Sequence, residues 1–270
     1  IDRVDVDRPI EDARVVDSEI VRVGRSRRII RGSLPGSGQW THHKADAGNT
    51  GIGSDTLPRL PLEPLWFGGP GPDRMPDRHS GVTSPVSVNG RVFVTGLNVV
   101  IAFDAYTGRE LWECPLEDAA RMGAKSLGGN LVADNDSLYV VAWDECVRID
   151  QVTGKILRRF RLPGLPDGPK RKTKTGPHGW PIKPEPHWGY LNVVGNLLLG
   201  SVTERSRANW SPKQKTTPIF ALNKDDGTPV WTYAPGFRVN SLAIAQGDER
   251  LFLISGAVAS AGKPARRGEK

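Results

Sequence analysis

Arg91-Val-Phe-Val-Thr-Gly-Leu-Asn-Val-Val-Ile-Ala-Phe-Asp-Ala-Tyr-Thr-Gly-Arg-Glu-Leu-Trp112 reads as two strands, a tight turn and a third strand. Val92 to Val94 and Val99 to Phe103 are β-branched and aromatic runs. Asp104-Ala-Tyr-Thr-Gly108 supplies a carboxylate that can accept from backbone N–H groups two or three residues on, then a glycine for a positive φ. Trp112 follows four residues later, where the next strand can set a large ring into a core.

The phrase repeats. Asp150-Gln-Val-Thr-Gly154 follows 46 residues after Asp104, and Asn223-Lys-Asp-Asp-Gly227 follows 73 residues later again. Trp231 again lies four past its glycine, whereas the middle copy has Arg158 there and Phe160 two residues on. Strand-like leads recur in Val92-Phe-Val94, Leu138-Tyr-Val140, Leu197-Leu-Leu199 and Leu251-Phe-Leu253. A period of about 40 to 50 residues built from short strands predicts an all-β β-propeller of four-stranded blades, each packing its aromatic residues on the next. A β-sandwich or β-solenoid is the competing architecture. From Trp40 onward the chain holds enough residues for about four to five blades, so an incomplete ring is expected. Trp40, Asp104, Gly108, Trp112, Asp150, Gly154, Asn223, Gly227 and Trp231 are the structural signature positions.

Phrases such as Ala102-Phe-Asp-Ala-Tyr-Thr-Gly-Arg-Glu-Leu-Trp112 resemble the repeat of pyrroloquinoline-quinone-like propellers, found in quinoprotein alcohol dehydrogenases and in the outer-membrane assembly lipoprotein scaffold. Gln39-Trp-Thr-His-His-Lys-Ala-Asp-Ala-Gly-Asn-Thr-Gly51, Leu65-Trp-Phe-Gly-Gly-Pro-Gly-Pro72, Asp77-Arg-His79 and Trp188-Gly-Tyr190 look like large planctomycete-type proteins of this group. In those, the propeller often follows an S-adenosylmethionine-dependent methyltransferase domain. The resemblance implies a binding or scaffold propeller for a protein or small-molecule ligand, in the cell envelope or periplasm, with a fused methyltransferase upstream. It also implies two alternatives: an oxidoreductase using pyrroloquinoline quinone and Ca²⁺, or an accessory part of a methyltransferase. The quinoprotein site pairs vicinal cysteines with a calcium held by carboxylate and amide oxygens, an aspartate base and a tryptophan under the ring. Cys114 and Cys146 are not adjacent, and no Glu/Asn/Asp set matches position by position.

The domain reading is a tail and linker over residues 1–38, propeller repeats over 39–256 and a basic tail over 257–270. Ala13-Arg-Val-Val16, Glu19-Ile-Val-Arg-Val23 and Arg28-Ile-Ile30 read as strands closing a preceding domain. The net charge of +7, from 37 Lys and Arg against 30 Asp and Glu, collects in Arg22–Arg31, Lys170–Lys174 and Lys263–Lys270. No nucleic-acid-binding motif accompanies these clusters, so they read as solvated loops and no specific nucleic-acid partner is expected. No apolar run is long enough for a transmembrane helix. For the two cysteines, one disulfide and two buried thiols both stay open. Gly-x-Ser-x-Gly, His-Glu-x-x-His and Cys-x-x-Cys-His are all missing, so no catalytic or metal residue is assigned and no cofactor is expected in this segment.

Candidate contacts at a propeller mouth come from loops. Leu65-Trp-Phe67 reads as a short strand leading through a Pro/Gly loop to Arg78 and His79, the foremost ligand-binding pair. The insertion from Leu162 to Pro186 carries seven prolines, which oppose helix and sheet alike and predict an exposed loop or lid. Trp180, His187 and Trp188 flank its end, where aromatic rings could stack on a ligand or pin the loop. In Trp40 to Gly51, Trp40 is expected to plug a blade interface while Asp46 and Asn49 cap turns, and adjacent His42 and His43 point to opposite sides.

Overall fold

A computed structural model describes residues 18–23, 26–31, 34–76, 81–121, 124–165, 174–175, 181–182, 185–204, 215–237 and 239–256. Arg91–Gly96 and Val99–Asp104 pair antiparallel across the Leu97-Asn98 turn, and Glu110–Pro115 adds to the second of them, as the opening stretch predicts. With Val86–Val88 in front they make a four-stranded sheet. Asn89-Gly90 turns the first hairpin with φ of 51° and 69°, the left-handed geometry that matches strand twist.

In chain order the strands are β1 (Ser18–Val23), β2 (Ser26–Arg31), β3 (Val86–Val88), β4 (Arg91–Gly96), β5 (Val99–Asp104), β6 (Glu110–Pro115), β7 (Leu131–Ala133), β8 (Ser137–Ala142), β9 (Glu145–Asp150) and β10 (Ile156–Arg161). There follow β11 (Lys174–Thr175), β12 (Pro181–Ile182), β13 (His187–Val194), β14 (Leu197–Glu204), β15 (Lys215–Asn223), β16 (Pro229–Tyr233), β17 (Val239–Gly247) and β18 (Arg250–Ser255). Strands β3 to β6, β7 to β10 and β13 to β16 form three sheets in sequential antiparallel order. β17 and β18 pair as the first two strands of a fourth such unit, and β1 pairs with β2 as a separate hairpin. The chain is thus a partial β-propeller of four-stranded blades among the described residues.

Period-two alternation fills both faces of each blade. In β8, Leu138, Val140 and Ala142 pack with Phe93, Val100 and Cys114 of the first blade. Tyr139 and Val141, on the other face, pack with Trp188, Leu198 and Phe220 of the third. A further seam joins Ile219 and Ala221 to Val239 and Ile244 of the fourth. Burying both faces explains why β8 reads as a continuous apolar run from Leu138 to Ala142.

Three sequence expectations need correction. Leu65-Trp-Phe67 is extended but pairs with no strand among the described residues. The proline-rich insertion still contains a two-residue ladder, Lys174 opposite Ile182 and Thr175 opposite Pro181, because prolines at sheet ends cost little pairing. Cys114 and Cys146 are both buried free thiols, so the disulfide reading falls. Burial pushes the Cys146 thiol up, which keeps it protonated and unreactive.

Candidate functional site

Each turn phrase is a small hydrogen-bonded unit. Asp104 Oδ1 accepts from the Tyr106 and Thr107 N–H groups at 3.0 and 2.9 Å and from the Thr107 hydroxyl at 3.0 Å. Asp150 repeats the set with Val152 and Thr153. Burial alone would raise the Asp150 carboxyl, but the Thr153 hydroxyl, the two N–H donors and nearby Arg91 together hold it below its usual range. Asn223 accepts from Asp225, and Asp226 takes over the second half of the cap by accepting from Thr228. Gly108, Gly154 and Gly227 all adopt positive φ.

Each turn is covered by the preceding unit. Trp112 donates its indole N–H to the Gln151 carbonyl at 3.0 Å and lies over Gly154, where a Cβ would come within 2.7 Å of the ring. Trp66 does the same to the first blade, donating to the Ala105 carbonyl at 2.9 Å and stacking on Phe103. The middle repeat lacks the tryptophan and divides its two tasks. Arg158 donates to the Asp226 carbonyl at 3.1 Å, and the Phe160 ring sits beside Gly227.

The other end of the blades is held by one short segment. Trp40 and Ser87 of β3 exchange both backbone bonds at 2.8 Å. The Thr41 carbonyl accepts from Ala133 of β7 at 2.9 Å. His42 meets the Asn192 amide oxygen of β13 at 2.7 Å. Ala47 accepts from Asn192 Nδ2 and from the Gln246 N–H of β17, and Asn49 Nδ2 donates to the Ile244 carbonyl at 2.6 Å. Residues 40–49 therefore touch the first strand of all four blades in order. Asp46 folds the segment by accepting from the Thr50 N–H and hydroxyl, whereas Asn49 spans to another blade instead of capping a turn.

The network also fixes protons. Asn192 spends its NH₂ on Ala47 and on the Tyr190 hydroxyl, so His42 Nε2 carries hydrogen and donates. Its Nδ1 accepts from the Thr41 hydroxyl at 2.8 Å. Burial pulls the His42 pKa down to about 4, against smaller support from Asn192 and Asp46, and keeps the ring neutral. His43 turns the other way, as adjacent residues on an extended chain should, and accepts from the Ser84 N–H. Burial, Lys44 and Arg121 all lower its pKa.

Arg121 is the buried cation of this region, 8% exposed. Its guanidinium donates to the carbonyls of Gly129, Gly189 and Trp188 and so clips the second blade to the third. With no carboxylate beside it among the described residues, burial draws its pKa down to about 9. Asn130 continues the polar layer, donating to the Ala119 and Val141 carbonyls and accepting from the Thr83 hydroxyl.

Between these groups lies a cavity of about 30 Å³, lined by His43, Lys44, Asn49, Tyr190, Asn192 and Ser241 among others. That is room for about two waters. A fused-ring quinone needs far more space, and calcium needs six to eight oxygens, typically with carboxylates. The lining contains no carboxylate, so this cavity does not fit either group. Among the described residues no cluster of three or more His, Cys, Asp or Glu side chains could hold a metal, and no helix is long and apolar enough to cross a membrane.

Of the sequence-based mouth residues, Arg78, His79 and Trp180 lie outside the described residues, as do most of the basic clusters. His187 is buried, stacked on Trp143 at 4.5 Å and bonded through Nδ1 to Glu185 at 2.8 Å. Trp188 is wholly buried, edge-on to Phe220 and donating to the Tyr190 carbonyl, so it has no face to offer a ligand. Residues missed in the sequence are Arg121, Asn192 and Trp66. For Trp66 a signal existed, since Pro64-Leu-Trp66 repeats Pro229-Val-Trp231.

The family described as outer membrane protein assembly factor BamB matches residues 36–259. Among solved structures, the chain is similar to BamB from Moraxella catarrhalis at 15% identity, covering 62% of this chain and 40% of that one, with a TM-score of 0.39. It is similar to a europium-containing methanol dehydrogenase at 15% identity, covering 72% of this chain and 31% of that one, with a TM-score of 0.39. For quinohemoprotein alcohol dehydrogenase from Comamonas testosteroni the values are 17% identity, 73% and 27% coverage and a TM-score of 0.37. The chain thus spans less than half the length of each of these structures. No curated protein matches it.

Proposed function

The chain belongs to the family described as outer membrane protein assembly factor BamB, and on that footing we propose that it is a non-catalytic binding propeller that holds a protein partner or a ligand through its loops. The single observation carrying this reading is the hub. Residues 40–49 occupy the side where the first strands gather, their polar groups bond to all four blades, and the remaining space holds about two waters. His42, Asn192 and Arg121, buried there, serve to join blades. Arg78 and His79 are the proposed contact residues, and the cell envelope is the proposed location. An upstream methyltransferase domain, implied by the resemblance of the Gln39–Gly51 phrase, would make this propeller the binding arm of a fusion enzyme.

The test is titration with pyrroloquinoline quinone and Ca²⁺ by calorimetry, with dye reduction on a panel of alcohols and sugars, beside photo-crosslinking from position 80 in envelope extract. Absence of quinone binding and reduction, together with a discrete crosslinked partner lost in Arg78→Ala, is the expected result. Micromolar quinone binding with turnover would overturn the scaffold reading in favour of a quinoprotein.

A further inference from the structure

Three hydrogen-bond donors line the cavity beside the hub, and none of them meets an acceptor among the described residues. The Tyr190 hydroxyl accepts from Asn192 Nδ2 at 2.6 Å, which leaves its own proton unspent. Tyr190 is 6% exposed, and burial pushes its pKa up to about 12, so the phenol keeps that proton. His43 accepts at Nδ1 from the Ser84 N–H, so the neutral ring carries its hydrogen on Nε2. Lys44, the third donor, is exposed and makes no ion pair among the described residues. A buried donor without an acceptor is costly, which singles out the Tyr190 proton above all.

The charges agree with the donors. Lys44 is a cation in a lining that contains no carboxylate. Arg121 stands behind the wall, donating to the carbonyl of Gly129, itself a lining residue. Burial first, and then both of these cations, lower the pKa of His43. The Asp46 carboxylate belongs to the same segment as His43 and Lys44, but it is spent on the Thr50 N–H and hydroxyl and does not line the cavity. An ammonium and a buried guanidinium with no counter-ion favour an anion in the space next to them. Water can accept from the three donors, but it leaves that charge uncompensated.

We propose that this cavity binds one carboxylate group, whose two oxygens take the two water-sized places and accept from the Tyr190 hydroxyl, His43 Nε2 and Lys44 Nζ. Sulfate and phosphate, with four oxygens each, exceed a space of about two waters. The carboxylate comes either from a free small acid or from an acidic side chain of a protein partner, entering beside exposed Lys44. The site uses neither Arg78 nor His79, so it stands apart from the contacts proposed for the loops.

The test is NMR of the full chain with its five histidines ¹³C-labelled, at neutral pH and constant ionic strength. Formate and acetate are expected to shift the His43 ring signal saturably, and sulfate is expected to leave it unmoved. Lys44→Gln changes an exposed residue and should weaken formate binding several-fold with an unchanged circular dichroism spectrum. Tyr190→Phe should weaken it about tenfold or more, since it removes a buried donor to a charged group. Two capped tripeptides, acetyl-Gly-Glu-Gly-amide and its Gln counterpart, separate the sources. Tighter binding of the glutamate peptide than of acetate, with the glutamine peptide inactive, assigns the carboxylate to a partner's side chain. Acetate binding without peptide binding assigns it to a free acid. No saturable shift with any of these would show a cavity for water alone and overturn the proposal. Binding equal in the wild type and both variants would overturn it as well, and a shift at His79 instead of His43 would do so while supporting the loop contacts.

Discussion

Trp112 and Gly154 form one contact across the seam between two blades: the indole covers a glycine at φ 71°, leaving no room for a Cβ. The ring and the missing side chain are two halves of a single fitting.

Trp112→Ala is expected to lower stability by roughly 2–4 kcal/mol, through lost ring contacts and an unpaired Gln151 carbonyl. Gly154→Ala is expected to cost about 1–3 kcal/mol from backbone strain and collision with the ring. Urea denaturation of both single variants and the double variant should give less than the sum, since removing the ring makes room for the methyl group. Full additivity would refute the coupling.

His42 makes stability depend on acid. Its pKa is about 4 in the fold against 6.5 for an ordinary histidine, so between those values the unfolded chain binds the extra proton. The stabilisation is complete above pH 6.5 and is lost as the pH falls toward 4, amounting to about 3 kcal/mol at most. His42→Gln keeps a donor for Asn192 and cannot titrate. Its denaturation midpoint should change less than that of the wild type across this window, and an unchanged slope would rule out His42 as the source.

Arg121 lends itself to a comparison of three replacements. Arg121→Ala should cost about 3 kcal/mol or more, because three buried carbonyls lose their donors and a void opens. Arg121→Met fills most of the void and removes the buried charge, so it should cost less. Arg121→Lys keeps the charge but cannot reach carbonyls on two blades at once. Hydrogen exchange at β7 and β13 should rise most in the alanine variant; equal exchange in all three would show that the clip is dispensable.

Asp134 and Lys224 bridge the second and third blades at 2.8 Å. Burial opposes ionisation of Asp134, but the Lys224 contact and the Asp136 and Ser137 N–H groups outweigh it and depress its pKa. A depressed carboxyl contributes stability above its unfolded pKa and loses it as the pH falls through the folded value. Asp134→Asn should therefore cost about 1–2 kcal/mol at neutral pH and little once the wild-type carboxyl is protonated. A penalty that stays constant down to acid unfolding would count against the ion pair.

The blade architecture was legible because its grammar is local. The Asp104 cap, the Gly108 conformation and the strands either side are settled within a dozen residues, and the phrase recurs at Asp150 and Asn223. The hub was not legible, because His42 and Asn192 meet across 150 residues of chain and neither residue type advertises the other. For Trp188 the sequence left stacking on a ligand and pinning of the loop both open, and its burial against Phe220 in β13 follows from a packing partner 32 residues away that the local sequence does not show. Arg158 and Phe160 were seen as a departure from the repeat, and only the fold shows them sharing one tryptophan's work.

The hub segment also imposes an order on assembly. Residues 40–49 leave the ribosome before the blades they join, yet Asn49 finds its acceptor 195 residues later, in β17. Individual blades can close their own hairpins as they emerge, so early folding is dominated by contacts of short range. The segment's bonds to β3, β7 and β13 can form as those strands appear, whereas Asn49 must wait, its amide solvated, until the fourth unit exists. The last of these contacts to form thus belongs to a segment made before the blades it joins, and a chain stopped before β17 would keep a hub tied to three blades with Asn49 left unpartnered.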